Sequence, residues 1–227
     1  IFIDEYVSVV MKDASPELQE KYKNETKSPE RMKIFLDAVR NMETAVKDRY
    51  VPALKAKTTQ WMEKGGYTNE QALAAVMMGI VLGTTLVNVS QEITDEDGKT
   101  KIGKAPFFEQ LLAASVMIEG NKIAELGTGE GKTIVGWMVN YVRALSGKGV
   151  ISVSSNSQLA KESCDGKGSI NSAGKQIHEA GARDVLENVM GMNLGLVTNA
   201  TSGSKRKANY QQNEKGKVQI VYADFGQ

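Results

Sequence analysis

The chain has 227 residues, of which 41% are hydrophobic and 24% charged. These values are ordinary for a soluble globular protein of one large or two small domains. The net charge of +1 argues against a global electrostatic attraction to nucleic acid or anionic membranes. The single cysteine, Cys164, excludes an internal disulfide, and with the single histidine, His178, it argues against a zinc site. The sequence begins at Ile1 without a secretory leader pattern, and we expect it to be part of a longer protein.

Residues 1–87 have the pattern of successive helices. Ser15-Pro16 and Ser28-Pro29 each predict a helix start, with a serine cap followed by proline in the first turn. Apolar residues recur at helical spacing over residues 30–50, and Pro52 is expected to end or kink that helix. The first part of the chain is therefore predicted to be all-helical.

The most apolar stretch of this part is the run from Ala72 to Val87. Thr68 and Gln71 form a capping-box pattern immediately before it. The run is shorter than the ~20 residues that a membrane-spanning helix needs. We therefore predict a buried core helix here.

Residues 88–105 are polar and rich in turn-forming residues, and we place a domain boundary here. The prediction is a helical N-terminal region over residues 1–105 and a partial nucleotide-binding domain over residues 106–227. Asp95 to Gly98 resembles the start of a calcium-binding loop, but Pro106 stands where that loop needs its last glutamate. An Asp-Gly turn is the favoured interpretation.

Three glycines within five positions mark residues 127–131 as a backbone that can turn its N–H groups toward an anion. Lys132 would contact terminal phosphates, and the hydroxyl of Thr133 would bind Mg²⁺. Lys122–Leu126 is predicted to be a strand that enters this loop, and 133–145 a helix that leaves it. The order of strand, loop and helix favours a phosphate-binding loop over a chance glycine-rich turn.

Alternating strands and helices are predicted beyond this loop. This order favours an α/β fold, a P-loop (RecA-like) parallel sheet flanked by helices, preceded by the all-helical part. The predicted strands beyond the loop are 150–154, 194–197 and 218–222, and the predicted helices there are 156–164, 172–190 and 205–211. A further helix is predicted before the loop, over 107–118.

Several of these stretches resemble the first nucleotide-binding, DEAD-like domain of the SecA protein translocases. They are the stretch around Gln110, the residues Ile123–Thr133, and the segment from Ala144 to Ala160. The likeness is specific over about a quarter of the chain, and residues 1–105 could not be matched.

The resemblance implies a site for ATP or ADP with Mg²⁺. Gln110 would read the adenine ring, and Thr133 would bind the metal. Phe107 or Phe108 could stack on the base, although core packing is the favoured use of both. The expected nucleotide-binding residues are Gln110, Thr128, Gly129, Glu130, Gly131, Lys132 and Thr133.

The chain also departs from the family pattern. Ser157 stands where the family usually has an acidic residue, and no Asp-Glu-x-Asp sequence occurs anywhere. The family places that acidic motif, which binds Mg²⁺ and activates water, beyond Gln227. We therefore name no catalytic residue and expect nucleotide binding with little or no hydrolysis by this segment alone.

Three functions follow as hypotheses. The leading one is the nucleotide-binding part of a SecA-like protein translocation ATPase, cytoplasmic or peripheral to the membrane, with preproteins or the membrane translocation machinery as partners of the parent protein. The second is a SecA-derived interaction domain with little ATPase activity, which the altered Ser157 favours. The third is a helicase fragment, against which the neutral net charge argues, so that no nucleic-acid partner is expected.

Overall fold

A computed structural model describes residues 4–93, 103–170, 174–211 and 218–226. Helices fill the first of these ranges. They are α1 (Asp4–Asp13), α2 (Pro16–Asn24), α3 (Ser28–Arg40), α4 (Glu43–Ala45), α5 (Val51–Lys64) and α6 (Asn69–Ser90), with a π-helical turn at Val46–Tyr50 between α4 and α5. The all-helical prediction for this part is confirmed within the described residues.

Helix α6 lies at the centre of the molecule. Its start is fixed by the predicted capping box, in which Thr68 and Gln71 exchange backbone and side-chain hydrogen bonds of 3.0 and 3.2 Å. All residues from Ala72 to Thr85 are buried. The helix has 22 residues and a mean hydropathy of 2.0, enough by length and composition to cross a membrane, but 78% of its most apolar window is buried inside the protein. The prediction of a core helix is therefore confirmed.

The helix predicted over residues 30–50 is interrupted. The backbone of Met42 leaves the helical region, with φ −119° and ψ 35°, and α4 starts after it. The π-helical turn then precedes Pro52, the second residue of α5, so the expected disturbance near this proline is present. A proline has no N–H to donate into a helical ladder, which favours a local change of hydrogen-bond pattern. Ser28 is the first residue of α3, and Lys27 takes the cap position that we had assigned to that serine.

The second part contains two further helices before the sheet, α7 (Phe108–Ile118) and α8 (Lys132–Ala144). They run side by side in the same direction. Gln110 bonds Glu130 near their first turns, and Arg143 bonds the carbonyl of Met117 near their last turns. Helix α7 has 11 residues and is therefore about 16 Å long. Residues 119–131 must run back over this length to reach the start of α8.

Within the described residues, the main sheet has three parallel strands, and the last of them in the chain lies between the other two. They are β1 (Val150–Ser154), β4 (Leu194–Val197) and β5 (Ile220–Asp224). The register aligns Ile220 of β5 with Val150 on one side and Leu194 on the other. Helix α9 (Ser157–Asp165) follows β1, and α10 (Gly203–Tyr210) follows β4. The predicted parallel α/β sheet is confirmed.

The prediction of a strand over Lys122–Leu126 is wrong for this structure. These residues belong to no strand, and the side chain of Ile123 is 96% exposed. A β-strand needs a neighbour for its backbone groups, and among the described strands β1, β5 and β4 pair only with one another. The alternating pattern is present in the sequence, but no described strand lies beside it.

The helix predicted over 172–190 is also wrong. Instead, β3 (Gln176–Glu179) lies within this range and pairs antiparallel with β2 (Lys167–Ile170), which precedes it in the chain. A π-helical turn, Arg183–Glu187, follows. Gly181 lies so close to the backbone of Gly166 that a Cβ there would approach it to 2.1 Å, so the close approach of the chain requires glycine.

The apolar core is continuous between the two parts. Buried residues of α1, α3, α5 and α6 belong to the same cluster as those of α8, β4 and β5. The boundary near residue 105 stays a prediction. Asp95 to Gly98, the calcium-like stretch, lies outside the described residues.

Candidate nucleotide-binding loop

The glycine-rich loop leads directly into the first turn of α8. Gly131 caps this helix in the left-handed conformation, with φ 72° and ψ 39°, and Gly129 has φ 88°. A residue with a Cβ would be strained at both positions. The local glycine pattern therefore sets the shape of this turn, as the sequence predicts.

Backbone N–H groups at this turn remain available. Glu130 donates to the carbonyl of Gly127 at 3.4 Å, and Ile134 donates to that of Gly131 at 3.0 Å. Among the described residues, no protein acceptor is found for the N–H groups of Gly129, Lys132 and Thr133. Free donors at the start of a 13-residue helix, at the positive end of its dipole, form a potential anion site.

Lys132 and Thr133 occupy the first two helical positions, and both are exposed. The ammonium of Lys132 folds back and donates to the carbonyl of Gly127 at 3.1 Å. This contact is a single bond at the surface, which an anion can compete for at little cost. Thr128 and Glu130 are also exposed in the loop.

Gln110 joins α7 to the loop. Its side chain is only 6% exposed. Its amide oxygen accepts from the N–H of Phe107 at 2.9 Å, and its amide nitrogen donates to the carbonyl of Glu130 at 2.8 Å. The structure thus brings Gln110 together with the loop residues, although 20 positions separate it from Glu130.

Phe107 and Phe108 are exposed by 71% and 73%. The expectation that both would pack in the core is therefore wrong. Their position at the start of α7, three and two residues before Gln110, leaves two aromatic faces in solvent next to the loop.

A second polar group lies at the carboxyl ends of the parallel strands. The hydroxyl of Ser157, the first residue of α9, bonds the carboxylate of Asp224 at the end of β5 and the amide oxygen of Asn199 at 3.2 Å. Asn156 caps α9 by accepting from the N–H of Leu159 at 2.9 Å. Since α8 leads by a short turn into β1, its first turn lies toward the same edge of the sheet.

Asp224 is a residue that the sequence reasoning missed. It is buried, and it supplies a carboxylate beside Ser157, where the family usually has an acidic side chain. A polar residue at the end of an apolar strand could have indicated it. The presence of Ser157 in place of an acidic residue is therefore weaker support for the interaction-domain hypothesis than the sequence alone indicates.

Cys164 and His178 do not form a thiol and base pair. The ring of His178 contacts the carboxylate of Asp184 at 2.9 Å, and the sulfur of Cys164 lies 3.6 Å from a nitrogen of Arg183. Burial is the main cause that raises the pKa of the Cys164 thiol to about 12. The thiol is therefore protonated and unreactive at neutral pH, as expected of a packing cysteine.

Comparison with known proteins gives a match to the family of the SecA DEAD-like domain over residues 18–223. This match includes most of the helical part that the sequence resemblance had left unmatched. Among similar proteins, a SecA protein translocase subunit of Prochlorococcus marinus is 35% identical over 119 residues, 52% of this chain and 11% of that protein.

Two other relatives match over longer segments. A SecA protein translocase subunit of Caulobacter sp. is 32% identical over 159 residues, 70% of this chain. A chloroplastic protein translocase subunit of Arabidopsis thaliana is 27% identical over 179 residues, 78% of this chain. The chain covers only 14% of the length of each of these two proteins.

Proposed function

Because the chain belongs to the SecA DEAD-like domain family, we propose that it binds ATP or ADP with Mg²⁺ at the loop before α8. The similar proteins are named as translocase subunits. In this proposal the chain is the nucleotide-binding part of a SecA-like protein translocation ATPase. The parent protein acts in the cytoplasm or at the membrane surface on preproteins or the translocation machinery.

The observation that carries this proposal is the set of unpaired N–H groups at the first turn of α8. Gly129, Lys132 and Thr133 offer donors without a protein acceptor among the described residues, and the ammonium of Lys132 lies in the same turn. Backbone donors and a lysine in this arrangement suit a chain of phosphates. Thr133 would offer its hydroxyl to Mg²⁺, which prefers oxygen ligands.

The hydrogen bonds of Gln110 are compatible with adenine recognition. Its amide nitrogen has two N–H donors, and its amide oxygen has two lone pairs. The bonds to Phe107 and Glu130 use one donor and one lone pair. One donor and one acceptor are left for the edge of a base, and the exposed rings of Phe107 and Phe108 are close enough in sequence to stack on it.

Hydrolysis is proposed to need a further acidic motif. No Asp-Glu-x-Asp sequence occurs in this chain. Phosphoryl transfer requires a group that positions the attacking water as well as phosphate and metal contacts. We therefore expect nucleotide binding by this segment with little or no turnover.

Titration calorimetry with ADP and ATP, with and without Mg²⁺, tests the proposal. Lys132→Ala should abolish nucleotide binding or lower the affinity at least about tenfold, since it removes a charge-assisted phosphate contact. The fold should be unaffected, because Lys132 is exposed.

Lys148→Ala is the matched control. Lys148 is also exposed and lies beyond the other end of α8, between Gly147 and Gly149. Its replacement should leave ADP affinity unchanged. If the two lysine variants bind ADP equally well, the loop is not the phosphate site.

A further inference from the structure

A cleft of about 390 Å³ opens between α1 and α5, within the helical part of the chain. Met78 of α6 lines it, together with Val10 and Leu54 of the two flanking helices. These three side chains are buried. The volume is in the range of pockets that bind small molecules.

Two of the α5 residues that line the cleft are small and exposed. Ala53 and Ala56 stand one turn apart on the exposed side of α5, and Val9 of α1 is exposed opposite them. Apolar side chains thus extend from the surface to the floor. Tyr50, the last residue of the π-helical turn, also lines the cleft, and such turns occur frequently at functional sites.

One positive charge lines this largely apolar space, whose lining also includes Gln60 and the tyrosines Tyr6 and Tyr50. The ammonium of Lys57 lies 5.2 Å from the ring centre of Tyr6 and 5.4 Å from that of Trp61, and 3.4 Å from the Tyr6 hydroxyl. Among the described carboxylates, none lies within ion-pair distance of it. The nearby carboxylate of Asp13 is instead held by Arg49 and Tyr50. A cation held against aromatic faces keeps its charge available to an anion.

We propose that this cleft binds a small monomeric amphiphile with an aliphatic chain and a single carboxylate, such as a medium-chain fatty acid. The chain lies along the wall of Val10, Leu54 and Met78, and the carboxylate pairs with Lys57. Burial of the chain supplies most of the affinity, and the ion pair with Lys57 adds to it and fixes the direction of the ligand. This site shares no residue with the nucleotide loop.

Titration calorimetry of the full chain with sodium octanoate, octanol and octyltrimethylammonium tests the proposal. Octanoate should bind at one site below the concentration at which it forms micelles. Octanol should bind about tenfold more weakly, since it lacks the charge-assisted contact, and the cation should not bind measurably. Equal affinity for octanoate and octanol would overturn the role of Lys57, and no octanoate binding would overturn the site.

Two variants locate the binding. Lys57→Met keeps the aliphatic stem and should lower octanoate affinity about tenfold while leaving that for octanol unchanged. Ala56→Leu should fill the cleft and abolish binding of both ligands. Ala56 is exposed on its helix, and leucine has nearly the same helix propensity as alanine, so this variant should fold. A thermal melt checks that it does.

Lys55→Met is the matched control for charge. Lys55 is exposed on the same helix, but its stem faces Gly191 and does not line the cleft. It should leave octanoate binding unchanged, and an equal loss in Lys55→Met and Lys57→Met would show only nonspecific attraction to a basic surface. Lys132→Ala should also bind octanoate normally, so failure of the nucleotide proposal does not affect this one.

Discussion

Helix α6 and the loop segment 119–131 show two different ways in which this chain is held in shape. Fourteen consecutive residues of α6 are buried against neighbouring helices. The loop segment is mostly exposed, and a few hydrogen bonds, those of Gln110 and Lys132 among them, hold it. The core is therefore fixed by packing within the chain, and the loop keeps backbone donors that a ligand can use.

The sharpest test of this difference compares two phenylalanines. Phe35 is fully buried in α3, and Phe108 is exposed beside the loop. Phe35→Ala should lower the free energy of unfolding by about 3–5 kcal/mol, because it leaves a cavity in the core. Phe108→Ala should change it by less than about 0.5 kcal/mol. Urea denaturation of both variants measures this, and similar losses would show that the loop region is as tightly packed as the core.

Two helical glycines provide a second comparison. A Cβ at Gly83 of α6 would lie 3.1 Å from the backbone carbonyl oxygen of Asp184 and the Cα of Val185, whereas one at Gly136 of α8 would meet nothing within 4 Å. Gly83→Ala should destabilise the fold by about 1–3 kcal/mol, because backbone atoms cannot move aside easily. Gly136→Ala should stabilise it by about 0.5–1 kcal/mol through helix propensity. Thermal melts of both variants give the sign of each change in stability. Stabilisation by Gly83→Ala would contradict close packing around α6.

Gln110 tests how the loop is held. Gln110→Ala removes the hydrogen bonds to Phe107 and Glu130 and should lower the free energy of unfolding by about 1–2 kcal/mol. The N–H of Glu130, which donates to the carbonyl of Gly127, should exchange its hydrogen faster than in the wild type. Gln158→Ala, which removes an exposed glutamine bonded to Glu162 on α9, serves as the control and should change neither quantity. Unchanged exchange in the Gln110 variant would mean that other contacts order the loop.

The smallest expected effect is the pH dependence due to Cys164. Its pKa is raised from 9.0 to about 12 in the folded protein, chiefly by burial. The unfolded chain loses this proton near pH 9 and the folded chain does not, so the stabilisation is complete below pH 9 and is lost as the pH rises toward 12. Between pH 8 and 9.5 the free energy of unfolding should fall by about 1 kcal/mol.

Urea denaturation at several pH values, compared with Cys164→Ala, measures this effect. The variant should be less stable at every pH because of the lost packing, but its decline between pH 8 and 9.5 should be smaller. Equal slopes would assign the decline to other groups.

Short-range signals in the sequence predicted much of this molecule. The capping box at Thr68, the apolar run of α6, the glycines at 129 and 131, and the strands that begin at Val150 and Leu194 all depend on neighbouring residues, and all were identified. Each feature follows from backbone conformation or periodic burial over a few positions. Contacts between distant residues change these local conformations only slightly.

The rest was decided by contacts between distant residues. The segment 122–126 has the pattern of a strand but no described partner, and the range 172–190 has helical spacing but forms a hairpin and a π-helical turn. The bond from Gln110 to the loop and the carboxylate of Asp224 beside Ser157 join residues 20 and 67 positions apart. A sequence pattern states which conformations a segment favours, but hydrogen bonds across the chain select one of them, because a strand or a binding site is stable only when its partner is in place.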